Sequence, residues 1–266
     1  MNKEMTFTLQ SKRQFLLIAL SLLSVLAMFF VSPIPQDLAY HQFADRNSYY
    51  SIPHFWNVVS NLPFLFVGIL GLMGLRNIEK FSGVLLELKR AYFTFFIGVF
   101  LTAIGSAYYH WFPDNATLLW DRLPMTISFM AFFVIIVGEN ISLSLARRLF
   151  YPLILIGIFS VFYWTYTESN GEGDLRLYAL VQFLPIILIP LILWLYPSPF
   201  KGQRYIVYVI AAYVLAKLTE HFDQQILDFL QVMSGHAIKH VIAAVGTYFF
   251  YVALRKRVLI GEKAKK

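Results

Sequence analysis

The chain has 266 residues, of which 58% are hydrophobic and only 14% charged, with a mean hydropathy of +0.62. A water-soluble domain carries about 25% charged residues, so the composition excludes a soluble globule and describes an integral membrane protein. The absence of Cys excludes disulfides and thiolate metal sites, and the net charge of +7 sits in short loops between apolar runs, a membrane-topology pattern that argues against nucleic acid as the partner.

Eight apolar stretches approach the roughly 20 residues that cross a bilayer: about 14–32, 55–75, 92–110, 119–138, 149–166, 175–196, 204–220 and 236–254. They predict an all-α polytopic membrane helix bundle. The first follows Lys12 and Arg13 and runs from Phe15 to Val31 without an A-x-A-like cleavage site. That reads as a retained anchor and not a secretory signal. Residues 1–54 form an N-terminal stub, anchor and loop, residues 55–255 the bundle proper, and residues 256–266 a basic tail.

The polar stretch with Asp37, Asp45, Asn47 and His54 reads as a loop over one end of the bundle. Asn57, Ser60 and Asn61 then enter the second helix as interhelical hydrogen-bond glue. Gly105, Ser106 and His110 close the third helix, Pro113 and Asp114 turn the chain, and Asp121 opens the fourth. The acidic loop from Glu168 to Asp174 lacks the ligand spacing of an EF-hand and reads as a solvated turn. Glu220, His221 and Asp223 end the seventh helix, and His236 and His240 open the eighth.

Charge sets the orientation. With the N-terminus in the cytoplasm, 17 of the 22 Lys and Arg fall on inner segments, including six in the C-terminal tail; Arg46, Arg122, Arg176, Lys217 and Lys239 remain outside. The positive-inside rule thus predicts eight helices with both termini cytoplasmic. It also brings His110, Asp121, His236 and His240 to the outer ends of their helices, at one depth.

His236 and His240 are four residues apart and share a helix face. With His110 they make three neutral imidazoles with one coordination position open, the ligand set of a catalytic zinc site. Each His alone also fits a hydrogen-bonded helix end, and Ser106 alone fits back-bonding to a helix carbonyl. Taken together, zinc would activate water and polarise a carbonyl, Asp121 would take the water proton and return it to the leaving group or hold the water in line, and Ser106 would donate to the developing oxyanion. Haem would use one or two His and leave the third unexplained, and a transporter would need its charges near the midplane. A metal-stapled receptor without turnover uses the same ligands. Glu220, His221 and Asp223 either support the metal-bound imidazoles from behind or form a solvated helix end.

The blocks Ser60-Asn61-Leu62-Pro63, Gly105-Ser106-x-x-x-His110, Asp121-x-Leu123-Pro124-Met125 and Ser234-Gly235-His236-x-x-x-His240 resemble, in order and spacing, the alkaline ceramidases. These belong to a superfamily of seven-helix membrane hydrolases that includes adiponectin-receptor-like proteins. The likeness runs from about Phe55 to Arg255. It implies a seven-helix core with 14–32 as an added N-terminal helix. It also implies a zinc site of His110, His236 and His240 with Asp121 and Ser106 beside it, and hydrolysis of the amide bond of ceramide or a related N-acyl membrane lipid. The acidic calcium-binding stretch of the animal enzymes has no counterpart before the second helix, so calcium is not implied.

Overall fold

A computed structural model describes residues 3–261, with side chains from Ser11 onward; the first residues of the stub and the end of the basic tail (262–266) lie outside the described residues. The described chain is a bundle of α-helices with one two-residue β pairing.

Helix α1 (Lys3–Ala27) packs along α7 (Arg176–Leu195) and leaves Phe15, Leu22 and Leu23 exposed. It ends short of the expected limit at 32. Pro33 and Pro35 force the residues before them into extended backbone, and Met28 to Phe30 close the helix with i→i−3 hydrogen bonds. The chain then crosses one end of the bundle, with a 3₁₀ turn at Leu38–His41.

The stretch expected as one helix over 55–75 is two: α2 (Phe55–Val59) and α3 (Leu62–Leu75). Pro63 cannot donate to the helix ladder. The Asn61 amide closes the gap by donating to the carbonyls of Asn57 (2.8 Å) and Val58 (3.4 Å). Helices α4 (Lys89–Trp111) and α5 (Asn115–Asn140) are joined by a tight link. There Asp114 and Thr117 form a reciprocal capping box, satisfying amides the first helical turn leaves free.

Helix α6 (Leu143–Ser169) starts at the Ser142 cap. Helix α8 (Arg204–His221) is followed by the short α9 (Asp223–Leu230), bent 80° from it, and then by α10 (Gly235–Lys256). Strands β1 (Phe200–Lys201) and β2 (Val258–Leu259) pair antiparallel, Phe200 opposite Leu259.

Helix α5 is the central element, packing on α4, α6 and α7, while α10 packs on α8 and α3. Phe95, Phe96, Phe132 and Phe250 meet where α4, α5 and α10 converge. Among the described residues, six segments are long and apolar enough to cross a membrane, and α8 with α9 makes a seventh if the bent pair is one span. The eighth expected crossing, α1, is helical, but its apolar helical part (15–27) is shorter than the ~20 residues a bilayer asks for. Glycines let the helices approach closely. A Cβ at Gly105 would collide with the Trp120 carbonyl oxygen, and one at Gly235 with that of Thr219.

The end away from the loop is held by a buried ion pair. Arg257 donates to both oxygens of Glu139 (2.8 Å each), Tyr92 donates to Glu139 Oε1 (3.0 Å), and the guanidinium lies 4.5 Å from the Phe200 ring centroid.

Candidate metal centre

His110 lies in the last turn of α4, and His236 and His240 lie in the first two turns of α10. The N-terminus of α10 is fixed by two acceptors. Ser234 Oγ takes the amide of Ala237 (3.3 Å) and Asp223 Oδ1 that of His236 (2.6 Å). Both occupy the positive end of the helix dipole. The approach of α8 that Gly235 allows brings Asp223 there.

The three imidazoles converge, each offering one nitrogen within 4.8 Å of the others, and all three residues are buried. His110 Nε2 and His236 Nε2 face each other at 3.2 Å. Two nitrogens of one tetrahedral zinc site, each at 2.0–2.1 Å, stand about 3.3 Å apart. Ser60 Oγ donates to the Asn57 carbonyl (3.2 Å), which leaves it to accept from His240 Nδ1 (2.8 Å). That bond assigns the proton of His240 to Nδ1 and leaves Nε2 as a lone pair. His110 Nδ1 is buried with no protein partner. A trio of buried imidazoles, each with one nitrogen turned toward the other two, fits a divalent cation.

Phe43, from the loop, roofs the cluster. Its ring centroid is 4.6 Å from that of His110 and 5.1 Å from that of His236. Asp45 anchors this loop, its buried carboxylate accepting from the amides of Asn47 (3.1 Å), Trp56 (2.9 Å) and Asn57 (3.4 Å). His54, in left-handed backbone, donates from Nδ1 to the His110 carbonyl (3.1 Å). Asp37 caps the 3₁₀ turn through the Ala39 amide. The polar stretch expected as a loop over the site is therefore one, and its carboxylates serve backbone amides.

Beside the histidines opens a cavity of about 330 Å³ with Ser106, Asp121 and His240 in its wall. Ser106 and Asp121 share this wall, on helices that the close approach at Gly105 brings together. Farther in, the wall is apolar, with Phe95, Phe132, Ile189 and Val209 among its residues. From Asp121 to Phe132 along α5 is about 16 Å at 1.5 Å per residue, deep enough for a long alkyl chain.

The cluster at the end of α8 does not support the imidazoles. Glu220 binds Lys239 (2.6 Å) and Lys217 (2.7 Å), Asp223 holds the backbone of His236 and Ala44, and His221 is exposed. Nor is the acidic loop only a solvated turn. Glu168 accepts from the Gln36 amide (3.0 Å) and Trp164 Nε1 (3.2 Å), and Asp174 pairs with Arg176 (2.8 Å). Ser60, expected as interhelical glue, bonds His240 of α10, whereas the site contacts of Phe43 are ones that sequence spacing leaves invisible.

In sequence, the family model described as Ceramidase matches residues 46–265, a span that takes in every residue of the cluster and leaves α1 outside. No curated protein matches the chain.

Proposed function

The chain belongs to the ceramidase family, and from that premise we propose that it is a zinc-dependent intramembrane hydrolase. Its substrate is ceramide or a related N-acyl lipid, cleaved at the amide bond. The observation that carries this reading is the convergence of His110, His236 and His240 beside a cavity polar at the histidines and apolar beyond them. The donor set is three neutral nitrogens, with no sulfur and no carboxylate, which suits zinc and leaves room for a further ligand. When bound, the ion supplies Lewis-acid polarisation of the amide carbonyl and a lowered pKa for water.

The chain's own residues do the rest. The apolar wall takes the acyl chain and fixes the carbonyl beside the histidines, which supplies proximity. Asp121 accepts the proton of the attacking water on a carboxylate oxygen and returns it to the departing amine. Ser106, in the same wall as Asp121, turns its hydroxyl proton onto the oxyanion as the tetrahedral intermediate forms. Phe43 and its loop limit entry of bulk water.

The membrane places the reaction. Counting α8 with α9 as one span and α1 with its apolar extension to Val31 as another gives eight crossings and puts both termini on one side; the distribution of Lys and Arg favours the cytoplasm for that side and the outer face for the histidines. The test is metal content of purified protein followed by mass spectrometry of N-acyl lipids before and after incubation. Metal-dependent release of a fatty acid and an amine is expected. Bound metal that raises thermal stability without product would show a stapled receptor instead.

A further inference from the structure

Arg122 follows Asp121 on α5 and lines the same cavity, yet the proposed chemistry does not use it. Only 6% of the residue is exposed. Its guanidinium lies between the rings of Trp164 (4.4 Å to the centroid) and Tyr178 (4.7 Å), and Nη2 donates to Gln36 Oε1 (2.6 Å). Nη1 is buried with no partner, and among the described residues no carboxylate lies within ion-pair distance. The other cations of the wall, Lys217 and Lys239, share Glu220. The wall thus holds three cations against two carboxylates, Asp121 and Glu220, and among the described residues Arg122 is the wall cation that enters no ion pair.

A buried charge without a counter-ion is costly, and an ionisable residue at membrane depth marks a functional site by default. Stacking on two aromatic faces offsets part of that cost and holds the planar fork in one orientation. Fixed in this way, it suits an oxyanion, which a guanidinium meets with paired donors.

We infer that Arg122 recognises an oxyanion on the lipid that occupies the cavity. This rests on the hydrolase reading for its substrate class, an acyl lipid with a negative group near its amide. The anion has two sources: an acidic head group on the substrate, or the carboxylate of the released acid.

The test begins with binding, which does not depend on turnover. A long-chain alkyl sulfonate, a weak metal ligand, is compared with the alcohol of equal length on full-length protein in neutral detergent, read by tryptophan fluorescence. The wild type should bind the sulfonate about 10- to 100-fold more tightly, as for a hydrogen bond to a charged group. Arg122→Gln should abolish the difference and Arg122→Lys should restore part of it. Equal affinities in the wild type overturn the inference, even if the Gln variant does not fold, and so does a preference that survives in a folded Arg122→Gln protein.

Kinetics then separate the sources. A KM raised by Arg122→Gln for an acidic-head amide and not for a neutral one assigns the head group. A weakened fatty-acid inhibition with both KM values unchanged assigns the product. Neither effect overturns the inference. Sulfonate selectivity without any amide turnover would keep this site and remove the hydrolase reading.

Discussion

Ser60 shows how one hydroxyl decides what an imidazole can do. Because it accepts from His240 Nδ1 (2.8 Å), the opposite nitrogen is free to bind metal. Ser60→Ala should therefore weaken metal affinity about 10- to 100-fold, as losses of such supporting hydrogen bonds do; a chelator-competition titration giving wild-type affinity would show the bond to be incidental. His110→Ala, His236→Ala and His240→Ala should each remove the ion outright, and a full equivalent of metal in any one of them strikes that residue from the ligand set. Asp121→Asn should keep the metal and lower turnover by about 10²-fold or more. At this scale the sequence reached the histidines because an i, i+4 pair is local and legible. It named Ser60 as interhelical glue but not its partner His240, 180 positions away, and it did not reach Phe43 over the rings, because no local spacing encodes a contact between distant segments. Asp223 was singled out for the wrong atom: it binds the backbone amide of His236 and leaves the ring alone.

Among elements, the crossing of α4 and α5 governs the site. Gly105 lets the Trp120 carbonyl come so near that any Cβ collides with it. Gly105→Val should destabilise the protein by about 1–3 kcal/mol, as overpacking does. By parting Ser106 from Asp121 it should also reduce kcat with metal content intact. A melting temperature and kcat both equal to wild type would show that the crossing has slack. The helices from α4 to α8 and α10 were legible because long apolar runs leave little choice in a bilayer. The break between α2 and α3 was not, although Pro63 signals it, because the apolar run continues through the turn. Helix α9 escaped because eight residues with mixed polarity carry no spanning signal. The β1–β2 pairing escaped because two-residue strands carry no period.

For the whole molecule, orientation is the testable property, and the chain has no native cysteine to confuse labelling. Ala116→Cys, exposed at the histidine end, should react with a membrane-impermeant maleimide from outside, and Asn77→Cys, exposed at the opposite end, only after permeabilisation. The reverse pattern would invert the charge-based topology. Acid stability follows from two loop carboxylates. Hydrogen bonds from Arg176 hold Asp174 below the usual carboxylate range, and the Thr117 amide does the same for Asp114. A depressed pKa stabilises the folded state fully above the unfolded value of about 3.9, and that stability is lost as pH falls through the folded value. The stability these two carboxylates carry, read as the difference in melting temperature in detergent between the wild type and an Asp114→Asn, Asp174→Asn double variant, should therefore hold from neutral pH to about 5 and fall below about 4. A difference that already shrinks near pH 6 would show that other groups set it.

The aromatic roof over the histidines decides which reactant is scarce. In the proposed reaction the lipid is drawn from the surrounding membrane, where it is abundant, whereas water arriving over the histidines must pass the Phe43 ring. Osmotic pressure then becomes an input to the reaction. At saturating lipid, excluded sugars should slow initial rates in proportion to the hydration they withdraw, and rates indifferent to osmolality would mean that the roof leaks.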